Sequence, residues 1–65
     1  MKQYIKEIKN QGKTIVLDNS STWEVDMFDR LDTALWMRLD NVTVNGNKMI
    51  NHNQRDKTVG IKKVN

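Results

Sequence analysis

Apolar and polar positions along this chain change period once, and that change divides it into three parts. Lys2 to Ile8 and Thr14 to Leu17 read as strands, separated by the turn-forming run Asn10-Gln11-Gly12-Lys13. A second break, Asp18-Asn19-Ser20-Ser21, leads to Thr22 to Val25, where Trp23 and Val25 alternate with Thr22 and Glu24 and are expected to point inward. From Asp26 onward the spacing becomes helical. Met27, Phe28, Leu31, Ala34, Leu35 and Leu39 are apolar, and Asp29, Arg30, Asp32, Thr33 and Arg38 lie between them. This predicts one short helix over about residues 27–36, with Asp26 as its N-cap and Asp29 in the first turn, where a negative charge suits the helix dipole.

Strand patterning then returns. Asn41 to Val44 and Asn47 to Asn51 flank Asn45-Gly46, a pair that predicts a tight hairpin with positive φ at both central residues of a type I′ turn. The polar stretch Asn53 to Lys57 leads into a last strand, Thr58 to Val64. Five or six short strands and one helical plug predict a mainly β fold, a small SH3-like or OB-like barrel in which residues 1–65 form a single domain. On this reading Trp23, Val25, Phe28, Leu31 and Leu35 close the barrel, while Trp36 and Arg38 stay open to a partner; Trp36 as one more core side chain is the competing reading.

Length changes the picture next. At 65 residues a single core supplies only about 3–5 kcal/mol. Without Cys there is no disulfide, and one His among no Cys makes no structural zinc site. Self-assembly or a bound ligand is left to supply the rest, which predicts a homo-oligomer. No signal-like or membrane-length apolar run occurs, so a cytoplasmic protein without membrane contact is expected.

Charge is unevenly distributed within the net +3. Residues 1–17 carry four Lys against Glu7, and residues 41–65 carry Lys48, Arg55, Lys57, Lys62 and Lys63 against Asp56. Residues 18–40 carry six acids against Arg30 and Arg38. If the first and last strands lie side by side, their lysines merge into one positive face suited to a phosphate-bearing ligand. The plainer explanation is that edge lysines prevent strands from pairing between molecules.

No catalytic motif emerges. Gly12-Lys13-Thr14 ends like a phosphate-binding loop, but Glu7 stands where that loop needs its first Gly. Asp26, Asp29 and Asp32 do not have the alternate spacing of a calcium loop, and His52 has no nearby Ser or Cys in the sequence. A non-enzymatic binding module is therefore expected, with no cofactor and no metal.

The ordered set Gly12, Leu17-Asp18, Trp23-Glu24-Val25, Phe28-Asp29, Trp36, Val42-x-Val44 and Ile50-Asn51 resembles a group of very small bacterial and phage β-barrel proteins without a settled activity, over roughly residues 5–64. The chain departs from that pattern at Asn19-Ser20-Ser21 and Leu39-Asp40, which are turns in the group. The resemblance implies the barrel fold and, for phage members, an accessory protein acting against host defence in the host cytoplasm.

Two ligand classes follow. One is a nucleotide-type anion, such as a defence signalling nucleotide held as by a sponge, or a single strand of nucleic acid. Its candidate residues are Tyr4 and Trp36 for stacking and Lys6, Arg38, Lys62 and Lys63 for phosphates. The other is a host protein, docked on an exposed sheet edge or on Met27, Phe28, Trp36 and Met37.

Overall fold

A computed structural model describes residues 2–64; Met1 and Asn65 of the expected 1–65 domain lie outside the described residues. Six antiparallel strands form a closed barrel: β1 (Lys2–Lys9), β2 (Thr14–Leu17), β3 (Thr22–Val25), β4 (Asn41–Asn45), β5 (Lys48–Asn51) and β6 (Lys57–Lys63). Around the barrel the order is β1-β2-β3-β6-β5-β4, and β4 closes on β1. The chain thus makes two three-stranded meanders, β1–β3 and β4–β6, joined by residues 26–40. Closure pairs each strand on both sides and removes the free edge that a docking strand would need.

The strands fall where alternation and turn chemistry place them. Asn10, Gln11 and Gly12 all take positive φ (54°, 58° and 94°) between β1 and β2. In the second turn the Asn19 Oδ1 accepts hydrogen bonds from the Ser21 N–H at 3.0 Å and the Ser21 hydroxyl at 2.6 Å. The β4–β5 hairpin differs from expectation by one residue. Asn45 pairs with Lys48, so Gly46 and Asn47 are the central residues, and only Gly46 has positive φ. That is the signature of a type II′ turn, whose first central position calls for Gly, and it satisfies the right-handed twist as well as type I′ does.

Nine apolar side chains fill the interior: Ile5, Ile15, Leu17, Val25, Trp36, Val42, Met49, Val59 and Ile61. Ile8, Trp23 and Val44 pack partly buried against them. Trp23 is half-buried, donates its indole N–H to Ser21 Oγ at 2.8 Å and has the Lys63 ammonium 6.0 Å from its ring centre.

Three expectations need correction. β1 and β6 are not neighbours: β2 and β3 separate them on one side, and β4 and β5 on the other, so Lys6 and the Lys62–Lys63 pair lie across the barrel from each other. The merged basic face does not form. Trp36 is core, at 6% exposure, and is closed to a partner. Phe28, Leu31 and Leu35 do not close the barrel; they are 92%, 85% and 76% exposed. The helix itself is short, a 3₁₀ turn over Met27–Asp29 running into α1 (Arg30–Thr33).

Candidate docking face

Residues 26–40 present the side of the helical pattern that the sequence suggests should be hidden. Asp29, Thr33 and Trp36 recur at i, i+4 and i+7 and point toward the barrel, whereas Phe28, Leu31 and Leu35 fall on the opposite side. Two glycines explain the choice. Gly12 is buried beneath the helix, and a Cβ there would meet Ala34 N at 2.6 Å, Thr33 Oγ1 at 2.7 Å and Arg30 O at 2.8 Å. Its missing side chain lets the fully buried Thr33 hydroxyl donate to Gly12 O at 2.6 Å. On the other flank Gly60 of β6 donates its N–H to Asp29 Oδ2 at 3.0 Å, and its own carbonyl accepts from Asp26 N at 2.9 Å. A Cβ at Gly60 would collide with the Asp26 carboxylate. Asp26 occupies the N-cap position but makes no side-chain cap bond; its carboxylate lies against Gly60 instead.

Polar side chains complete the seat. Arg30 Nε donates to Val25 O at 3.0 Å while its guanidinium pairs with Glu24 at 3.5 Å, and Asp32 pairs with Lys57 at 3.4 Å. At the far end the buried Asp40 carboxylate accepts from Met37 N and Asn51 Nδ2, each at 3.0 Å, and from Gln54 Nε2 at 3.3 Å. Asn51 is itself fully buried, and its Oδ1 accepts from Asn53 N at 2.9 Å. Loss of the carboxylate would leave the buried Asn51 amide without this acceptor.

What the seat leaves outside is an apolar surface. Met27, Phe28, Leu31, Leu35, Met37 and Leu39 are all large and mostly exposed, Met37 least at 65%. At about 100–150 Å² for each such side chain, scaled by exposure, they offer roughly 450–700 Å² to solvent. That summed area is comparable with the largest apolar patch on an ordinary monomer, about 300–600 Å². Beside it, Asn10, Gln11, Lys13, Arg30, Leu31 and Ala34 line an open groove of about 520 Å³.

The residues named for anion binding are scattered. Tyr4 and Lys6 are exposed on β1, and Arg38 reaches Lys6, donating from Nε to the Lys6 carbonyl at 3.1 Å beside a bulge in β1. Of the three, Arg38 and Lys6 are in contact. Lys62 and Lys63 are exposed on β6, paired with Glu24 and Trp23 of β3, and do not join them. Trp36 keeps only a sliver open, at a depression of about 170 Å³ that it shares with Asp32, Leu35, Gln54 and Lys57.

One arrangement was invisible in sequence. His52 Nδ1 stands 2.8 Å from Asp56 Oδ1 and its Nε2 2.7 Å from Thr43 Oγ1, so a ring protonated on Nδ1 donates to Asp56 and accepts from Thr43. The order acid, imidazole, hydroxyl matches a nucleophile triad, but Asp56 is well exposed and water reaches all three groups. The trio ties the β5–β6 connection to β4.

Among the described residues no helix is long and apolar enough to cross a membrane. In comparisons with known proteins, no family model, curated protein or solved structure matches the chain.

Proposed function

We propose that this chain is a non-enzymatic binding module that docks a protein through the outward face of residues 27–39. One observation carries the reading: Phe28, Leu31 and Leu35 stand in water while Asp29 and Thr33 of the same helical run are turned inward. Keeping six large apolar side chains exposed has a free-energy cost that burial against a partner removes. Met and Phe suit such a face because they adapt to and fill a partner's surface. The resemblance to small phage barrels suggests a role against host defence, with the host cytoplasm as the place of action.

A photo-crosslinking residue at Leu31 or Leu35, with Lys48 on β5 as the control position, tests this in the producing cell. Protein adducts from 31 and 35, with none from 48, are expected. Adducts equal to the control at both positions would end the docking reading.

A second reading, capture of a nucleotide-type anion, draws on the groove where Lys13 and Arg30 stand beside Leu31 and Ala34, and on Tyr4, Lys6 and Arg38. A thermal shift with cyclic and linear nucleotides separates the two locations. Lys13→Ala abolishes the shift if the groove binds, and Lys6→Ala does so if β1 binds.

A further inference from the structure

Building on the docking reading, we propose that the occupant of the 27–39 face is a second copy of this chain, joined about a twofold axis. Area is the first argument. Two such faces, fully covered, together remove roughly 900–1,400 Å² from water, a range that spans the about 1,000 Å² that a specific interface requires. A single 65-residue core leaves little stability in reserve, and a copy of the chain is present wherever the chain is made.

Charge is the second argument. The acids of this segment mostly have partners within the molecule: Glu24 with Arg30, Asp32 with Lys57, Asp29 with the Gly60 N–H, and Asp40 with Met37, Asn51 and Gln54. Between 27 and 39 the formal charges cancel, Asp29 and Asp32 against Arg30 and Arg38, so apposing the face to itself incurs little net repulsion. A face of this kind resembles the apolar core of a homodimer interface more than the polar surface of a transient complex. An anionic membrane is a poor match, because the two bases of residues 27–39 are balanced by two acids and supply no basic rim to meet headgroups.

The test is sedimentation of the full chain from micromolar to millimolar concentration, alongside Phe28→Ser/Leu31→Ser and, should that pair fail to fold, Leu31→Lys alone. Wild type is expected to approach twice 7.6 kDa, and the folded variant to stay at one chain mass, with dimerisation weakened by about 100-fold or more. A single-chain wild type at the highest concentration overturns the dimer. So does a variant that dimerises as well as wild type. Wild-type binding to vesicles of phosphatidylcholine and phosphatidylglycerol, lost in the variant, overturns it in favour of a lipid occupant. Fluorescence of a hydrophobic dye then tells whether the docking face survives without the dimer: enhancement by monomeric wild type that is lost in the variant keeps the face, and no enhancement removes both.

Discussion

Replacing Phe28 by Ala separates two accounts of residues 26–40. If the ring closed the barrel, its truncation would cost about 3–5 kcal/mol, equal to everything a core of this size supplies, and the chain would not fold. With the ring 92% exposed, almost none of its surface leaves water on folding, and the change should lie within about 0.5 kcal/mol. An unfolding entropy of about 2.1 cal/mol/K per residue gives about 0.14 kcal/mol/K for 65 residues. The two accounts then differ by a melting shift of at most about 4 °C against one of more than about 20 °C. Far-UV circular dichroism at low micromolar protein reads this directly. Concentration matters, because mass action through the face should raise the wild-type midpoint at high concentration and leave the variant behind. A fall of more than about 15 °C in dilute solution, equivalent to about 2 kcal/mol, would refute the outward placement.

Three further changes probe the seat beneath the helix. Thr33→Val keeps shape but leaves the Gly12 carbonyl without its donor, and should lower urea stability by about 1–3 kcal/mol with an unchanged denaturant slope; a loss under about 0.5 kcal/mol would contradict the bond's role. Gly60→Ala drives a methyl into the Asp26 carboxylate and should cost about 1–3 kcal/mol by overpacking, so a melting point equal to wild type would mean that Asp26 moves aside freely. Asp40→Ala strands the Met37 N–H and the buried Asn51 amide; a loss of at least about 2 kcal/mol is expected in chemical denaturation, and a neutral result would show that water reaches the pocket.

The barrel was legible because its strands are marked locally. Thr14 to Leu17 and Thr22 to Val25 fall within the bounds read from alternation, and Gly46 turns the β4–β5 hairpin, although at the first central position rather than the second. Which strands close the barrel was not legible, since the β1–β4 and β3–β6 pairs join residues far apart in the chain and leave no local mark. The side of the helix that faces inward was hidden for a related reason. A period of 3.6 announces an apolar stripe at 28, 31 and 35, and nothing local marks the more polar stripe at 29, 33 and 36 as the inward one, because the seat that decides it is built elsewhere in the chain. That seat is built by Gly12, 21 positions before Thr33, and by Gly60, 31 positions after Asp29. Trp36 joins the inner stripe and adds the bulk that Asp29 and Thr33 do not supply, which is how a tryptophan expected to meet a partner became core. Lys13 and Arg30 were passed over as groove residues because the turn and helix that bring them together are joined only in the folded chain.

Thiol reactivity of single-cysteine variants tests the inside-out helix most directly, since the natural chain contains no Cys to interfere. Phe28→Cys and Leu35→Cys should react in dilute native protein nearly as fast as in urea, and more slowly as concentration rises and the faces cover each other. Leu17→Cys, fully buried in β2, should be slower by roughly 100-fold or more, because it reacts only through opening at about 3–5 kcal/mol. Equal protection at 17, 28 and 35 in dilute solution would place the apolar stripe inside the barrel and contradict the docking face.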